Sequence, residues 1–313
     1  MGERLRADDL LRTYDPSAAA ERLGVNVPEA SLTAIVGPHT SGKSALLHAL
    51  ARLVDPPQRA VVIGGRPIAT LPATVLARRL GLLPASTATS KDITVVDLVA
   101  RARFPDGRLL RPWSAEDDEA VRTALHTADV AELAHRHVDD LSGGLRQRVW
   151  VAVALARRTP MLLLDEPTTL LDLAHQVDVL DLCAELREAH GRTVVAVLPD
   201  LNQACRYATH VIAMRDGRVI DQGPPARIVT TDLVEDVFGL RCRIINDPET
   251  DTPLVLPLGR AFRREPMQPP AARTRTTAST KITDKPMDHA QDHRAAAGST
   301  RENATTGAPR VRA

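Results

Sequence analysis

The first 260 residues alternate short apolar runs with longer stretches in which apolar residues recur every three or four positions. Leu32 to Val36, Ala60 to Ile63, Leu80 to Leu83, Met161 to Leu164, Thr193 to Leu198 and Val211 to Met214 have strand length and no polar face. Strands buried on both faces of a largely parallel sheet read this way. Between residues about 86 and 158 the spacing becomes helical only. Ser114 with Asp117 three residues on predicts a helix start, and Ala120, Val121, Ala124, Leu125 and Ala128 supply its apolar stripe. A helical insertion therefore splits an α/β core. No internal repeat appears, since GK[ST] and SGG each occur once.

Past Ala261 the pattern stops. Residues 262 to 313 carry ten Lys+Arg and five Asp+Glu, a net +5, while the first 261 residues carry 30 against 34, a net −4. Only Phe262, Ile282 and Val311 come from the Leu/Ile/Val/Phe set, and five prolines interrupt the segment. So little apolar surface does not offset the entropy lost on ordering, so 261–313 is expected to be a disordered, solvated basic tail beyond a folded domain of residues 1–260.

Composition narrows the function. Of 313 residues 43% are apolar, enough for a sizeable core. Forty Lys+Arg against thirty-nine Asp+Glu leave +1, without the basic excess of a chain whose main partner is nucleic acid. Seven aromatics are too few for base-stacking platforms. Cys183, Cys205 and Cys242 are odd in number, far apart and in no CxxC spacing, which excludes a disulfide framework and reads as reduced, core-filling thiols. No run approaches 18 apolar residues and the amino terminus has no apolar h-region, so neither a membrane span nor export is expected.

The chemistry sits at the ends of two predicted strands. Leu32 to Val36 runs into Gly37-Pro38-His39-Thr40-Ser41-Gly42-Lys43-Ser44 and then a helical stretch from Ala45. This is GxxxxGK[ST] in the strand-loop-helix setting that gives it meaning. Loop amides cradle phosphates, Lys43 reaches the β- and γ-phosphates, and Ser44 holds Mg²⁺. Met161 to Leu164 likewise delivers Asp165 and Glu166 to the carboxyl edge of the sheet, where open α/β folds bind ligands. Asp165 suits the Mg²⁺ and Glu166 suits polarising an attacking water. Between the two lies Leu141-Ser142-Gly143-Gly144, 98 residues after Ser44 and 23 before Asp165 as counted from Ser142. Its glycines let backbone approach an anion closely, and Ser142 adds a hydroxyl.

With these three motifs in this order, residues 5 to 257 resemble the ATP-binding-cassette ATPases of membrane transporters. Within them the chain is most similar to the importers of ferric siderophores and vitamin B12, through RARFPDGRLLRPWSAEDDEAV, DEPTTLLDLAHQ, DLNQACRYATHVIAMRDGRVIDQGPP and the closing VFGL…DPETDTPLVLP. The resemblance implies an α/β P-loop NTPase core with an inserted α-helical subdomain and an antiparallel β portion. It implies a head-to-tail dimer of cassettes, homomeric or heteromeric, with each ATP between one subunit's phosphate loop and the other's LSGG. It implies that Tyr14 stacks on adenine and that Asp172 lies in the loop linking the two sites. The implied partners are permease subunits at the cytoplasmic face of the membrane and, indirectly, a substrate-binding protein.

Four stretches depart from that family's usage. Pro84 is followed by Ala85 where a glutamine contacts metal and lytic water, and Leu198 is followed by Pro199 where a histidine bonds the γ-phosphate. Leu145 replaces the glutamine after LSGG, and HTSGKSA stands where NGSGKST is common. Each charge-assisted hydrogen bond lost only in the transition state is worth about 1.5–3 kcal/mol, roughly ten- to 150-fold in rate. ATP binding is thus expected to survive and turnover to weaken, with a nearly inactive heterodimer partner or regulator as the alternative. Thr40 is expected to cost about 1 kcal/mol if that position needs a positive φ. Pro199 reads as a first helical residue. His135 and His137, and His289 and His293, read as ordinary surface histidines. Arg146, Arg148, Arg157 and Arg158 read as the solvated face and dimer edge of one helix.

Overall fold

The computed structural model describes residues 5–7, 24–54, 60–84, 92–104 and 112–259. Ala85, Tyr14, the pair His289 and His293, and the whole 261–313 stretch expected to be a tail lie outside them.

The chain begins with β1 (Leu5–Ala7), β2 (Val25–Val27) and the wholly buried β3 (Leu32–Val36), followed by α1 (Lys43–Leu50). Next come β4 (Val61–Ile63), β5 (Arg66–Pro67), α2 (Ala73–Arg79) and β6 (Leu80–Leu83). Three helices then run in succession, α3 (Val95–Arg101), α4 (Ala115–Thr127) and α5 (Gly143–Ala156). The α/β pattern resumes with β7 (Met161–Asp165), α6 (Leu173–Glu188), β8 (Thr193–Val197), α7 (Leu201–Tyr207) and β9 (His210–Arg215). Finally β10 (Arg218–Gly223) precedes α8 (Pro225–Ile228), α9 (Thr231–Phe238) and the hairpin of β11 (Cys242–Asn246) and β12 (Pro253–Pro257).

The main sheet has the order β10-β9-β3-β8-β7-β6. Its five strands from β9 to β6 pair in parallel, and only β10 is antiparallel. Because side chains alternate across a strand, each buried strand feeds two cores. Leu32, Ala34, Leu162, Leu164, Val194 and Ala196 face the layer of α3 to α7, whereas Ile35, Met161, Leu163, Val195 and Val197 face α1 and a second sheet. That second sheet, β2-β1-β4-β5, is antiparallel throughout. The run Ala60 to Ile63, expected in the parallel sheet, is therefore β4 of the antiparallel one. Val61 and Ile63 are buried in the core shared with the main sheet and Val62 is partly buried, a pattern that an apolar run of this length does not distinguish from a parallel strand.

Helix α4 starts where its sequence says it should. Ser114 Oγ accepts from the Asp117 amide at 3.3 Å, and the Asp117 carboxylate accepts from the Ser114 amide at 3.0 Å. Asp117 is fully buried and also accepts from Arg103 Nε at 2.8 Å, which ties α4 to the end of α3. All five residues of the anticipated stripe are buried. The cysteines are core residues too, with burial pushing the Cys183 and Cys205 thiols up to about 12, so both stay protonated and inert.

The arginine group on α5 is not one solvated face. Arg148 is buried, donating from Nε to the Ala128 carbonyl at 3.0 Å and pairing with Asp129 at 2.7 Å, which fastens α5 to the end of α4. Arg157 is half-buried and only Arg158 is exposed. Two residues of helical spacing set Arg146 and Arg148 on different sides of α5, and Arg157 and Arg158 lie past its last residue, Ala156.

Candidate nucleotide site

Register places the site. Ile35 of β3, Val197 of β8 and Asp165 of β7 lie in one row across the sheet, so the segments that follow those strands emerge side by side at its carboxyl edge. Those segments are the Gly37–Ser44 loop, Leu198-Pro199 and the Asp165-Glu166 pair.

The loop is shaped by its glycines. Gly37 has φ +151°, and a Cβ there would lie 2.1 Å from the Met214 carbonyl oxygen, so no larger residue fits. Gly42 stands just before α1 with φ +87°. Thr40 is not among the residues with positive φ, so the strain expected of it does not arise. Pro38 is partly buried and His39 exposed, and the Ser41 amide closes the turn by donating to the Pro38 carbonyl at 3.1 Å. The Ser41 hydroxyl is buried and has no hydrogen-bond partner among the described residues.

Lys43 and Ser44 open α1, where helical amides are unsatisfied. The Lys43 ammonium is folded into the loop, donating to the Gly37 carbonyl at 3.0 Å and the Pro38 carbonyl at 2.6 Å. Burial draws its pKa below the usual lysine value, and the carboxylates of Glu166 and Asp165 pull it back up. Ser44 Oγ donates to Asp165 Oδ1 at 2.8 Å, joining the two motifs across 121 residues of sequence. Ala45 follows on the first turn, partly buried.

Two residues that sequence reasoning passed over complete this corner. His48 stands one turn beyond Ser44, with Nε2 3.1 Å from Asp165 Oδ2, a contact of charge distance whose angle does not make a hydrogen bond. Its i,i+4 spacing from Ser44 was the available signal. Thr169 donates to Glu166 Oε2 at 3.0 Å. Glu166 itself has φ +49°, an uncommon conformation for a side chain of its size, and such strain persists where surrounding structure enforces it. Here the buried Gln147 side chain of α5 donates to the carbonyl of neighbouring Pro167 at 3.2 Å.

The remaining candidates lie apart from that corner. Ser142 caps α5 by accepting from the Leu145 amide, Gly143 and Gly144 form the first turn, and none of the three hydrogen-bonds to the Gly37–Ser44 loop. Gly144 abuts the Leu170 carbonyl. Asp172 caps α6, and the His175 amide donating to its carboxylate holds that carboxyl below its usual range. Leu170 and Leu173, on either side, are 64% and 73% exposed. Pro199 is exposed and precedes Asp200, which caps α7 by accepting from the Gln203 amide. It is thus one residue before the cap, not the first helical residue.

Most of the chain has recognisable relatives. The ABC transporter family profile matches residues 20–169. The ferric enterobactin transport ATP-binding protein FepC of Escherichia coli strain K12 is 49% identical over 257 residues, covering 82% of this chain and 95% of that protein. This chain belongs to the ABC transporter ATP-binding proteins. A further relative of the cassette, the iron(3+)-hydroxamate import ATP-binding protein FhuC of Bacillus subtilis strain 168, is 37% identical over 243 residues, 78% of this chain and 90% of the other. Among solved structures, a dimeric ATP-binding cassette in a post-hydrolysis state with ADP and Pi superposes at a TM-score of 0.59, with 25% identity over 71% of this chain and 98% of that one. The cassette is an ATP-binding protein of the ATP-hydrolysing kind, and no described helix is long and apolar enough to cross a membrane.

Proposed function

We propose that this cassette binds ATP with Mg²⁺ at the Gly37–Ser44 loop and hydrolyses it as the motor subunit of an importer for iron–siderophore complexes, at the cytoplasmic face of the membrane. The observation that carries the site is the 2.8 Å bond from Ser44 Oγ to Asp165, beside the buried Lys43 ammonium. Hydroxyl and carboxylate oxygens are the hard donors Mg²⁺ takes, usually one or two from protein with the rest from phosphate and water. Bound there, Mg²⁺ would neutralise charge on the β- and γ-phosphate oxygens. Lys43 exchanges the Gly37 and Pro38 carbonyls for phosphate oxygens, the loop amides hold the chain of phosphates, and Glu166 accepts a proton from the attacking water. The cargo assignment rests on the ferric enterobactin transport and iron(3+)-hydroxamate import named for the relatives.

Within one chain the Ser142–Gly144 turn does not touch the phosphate loop, while Leu170 and Leu173 expose apolar surface beside it. A second cassette meeting this face head to tail would bring the turn onto its partner's ATP. Permease subunits complete the assembly, with a substrate-binding protein acting through them. Residues 1–260 are read as the cassette, with about 86–158 as its helical subdomain and 261–313 as a tail. Pro199 offers no hydrogen bond where the carboxyl end of β8 faces the site, and Ala85 offers none either, so turnover is proposed to be weakened rather than lost. ATP turnover of the purified chain beside Glu166→Gln, with nucleotide affinity measured in parallel, tests this. A slow but real rate that Glu166→Gln removes at unchanged affinity is expected, and a rate indifferent to Glu166 would refute the assignment.

A further inference from the structure

A cavity of about 520 Å³ opens between α4, α5 and α6, bounded on the last side by the lead into β8. Its apolar wall comes from Ala120 and Ala124 of α4, Leu155 of α5, and Leu182 and Leu186 of α6. Arg158 and Arg192 also line it, with Glu185 as the one carboxylate and His190 at the rim. Helix α5 has 14 residues, so at 1.5 Å each its far end stands about 20 Å from the Ser142–Gly144 turn. The cavity is thus separate from the nucleotide site.

The two arginines are poorly compensated. Among the described residues Arg192 has no carboxylate within ion-pair distance. Arg158 has only Glu116 at 3.8 Å, which is 71% exposed and shared with Arg103 at 4.0 Å. An exposed, shared pair of that length contributes little. Arg158 also adopts φ +50°, uncommon for so large a residue. Burial and the repulsion of Arg158 draw the Arg192 pKa below its ordinary value. A fork of donors with excess positive charge beside an apolar wall is the form of a site that orients one acid group and buries the body attached to it, and the volume falls in the usual range for small ligands.

We propose that this cavity binds a small organic anion, one acid group held by Arg158 and Arg192 on a compact apolar body packed against Ala124, Leu155, Leu182 and Leu186. The helices that line the cavity with their last turns carry Ser142 and Asp172 at their first, so the ligand is held at the opposite ends of two helices of the nucleotide site.

Isothermal titration of octanoate into the full chain at saturating ATP and Mg²⁺ tests the proposal, with octan-1-ol and inorganic phosphate as probes of body and charge alone. Octanoate should bind one to one, at least about ten-fold tighter than either control, and Arg192→Gln or Arg158→Gln should each weaken it by about ten-fold or more while ATP affinity stays unchanged. Ala124→Phe should block it by filling the apolar end. Should a glutamine variant lose ATP binding and hence its fold, Arg192→Lys keeps the charge without the fork and should weaken octanoate less. Equal binding of octanol, octanoate binding that survives both arginine substitutions, or its displacement by ATP would each overturn the proposal. Inorganic phosphate binding as tightly as octanoate would overturn the amphiphilic class.

Discussion

Two side chains at the phosphate corner have opposite consequences when changed. The Lys43 ammonium is buried against two loop carbonyls, and the nearby carboxylates of Glu166 and Asp165 favour its charge, so it is held in place before nucleotide arrives. Removing it in Lys43→Ala takes away charge-assisted bonds of about 1.5–3 kcal/mol each, and ATP affinity measured by titration should fall about 100-fold or more. On the proposed reading Pro199 and Ala85, by contrast, stand where contacts are made only in the transition state, and restoring such contacts changes kcat and leaves affinity nearly alone. Ala85→Gln with Pro199→His should raise turnover about ten-fold or more at a little-changed nucleotide Kd. The exposed position of Pro199 ahead of the Asp200 cap means that histidine there removes no helical hydrogen bond. A folded, ATP-binding double variant that turns over no faster would show that another group completes the site. His48 is a fair measure of what the sequence withheld. Lys43, Ser44, Asp165 and Glu166 were legible because their motifs name them, whereas His48 enters the site only through the helical turn that carries it back to Asp165.

Elements were legible in proportion to how local their causes are. The start of α4 is written in Ser114 and Asp117, two residues that satisfy each other's backbone donors, and the structure has both bonds. Ser114→Ala should therefore lower stability by about 1 kcal/mol, read as a shift in the denaturant midpoint at unchanged slope, with ATP affinity unaffected. Beta elements fared less evenly. The buried runs of the parallel sheet announced themselves, but β1 and β2 have three residues each, and β4 is an equally short run that pairs antiparallel in the second sheet. Similarly, Arg148 looked like one of a row of surface arginines. Its burial depends on Asp129 and the Ala128 carbonyl arriving from another helix, and nothing local in the sequence specifies that meeting.

At the scale of the molecule, the arrangement of motifs implies more than one chain. The phosphate loop with Asp165 and Glu166 forms one cluster, while the Ser142–Gly144 turn, Asp172 and the exposed Leu170 and Leu173 form another with no hydrogen bond between the glycine turn and the loop. Leaving two large apolar side chains in water beside a glycine turn costs the monomer about 1.5–3 kcal/mol for each that would otherwise be fully buried. A partner that covers them recovers that amount, and ATP bound between the two chains adds contacts available to neither alone. Hydrolysis would undo the assembly, so the dimer should accumulate when turnover is blocked. Glu166→Gln with ATP and Mg²⁺ is expected to elute as a dimer in size-exclusion chromatography, and as a monomer without nucleotide. Adding Leu173→Glu places a charge in the covered patch and should return the protein to monomer, at an ATP affinity close to that of the Glu166→Gln monomer. A dimer that persists without ATP, or that tolerates the glutamate, would place the interface on some other face and leave the Ser142–Gly144 turn without its proposed role.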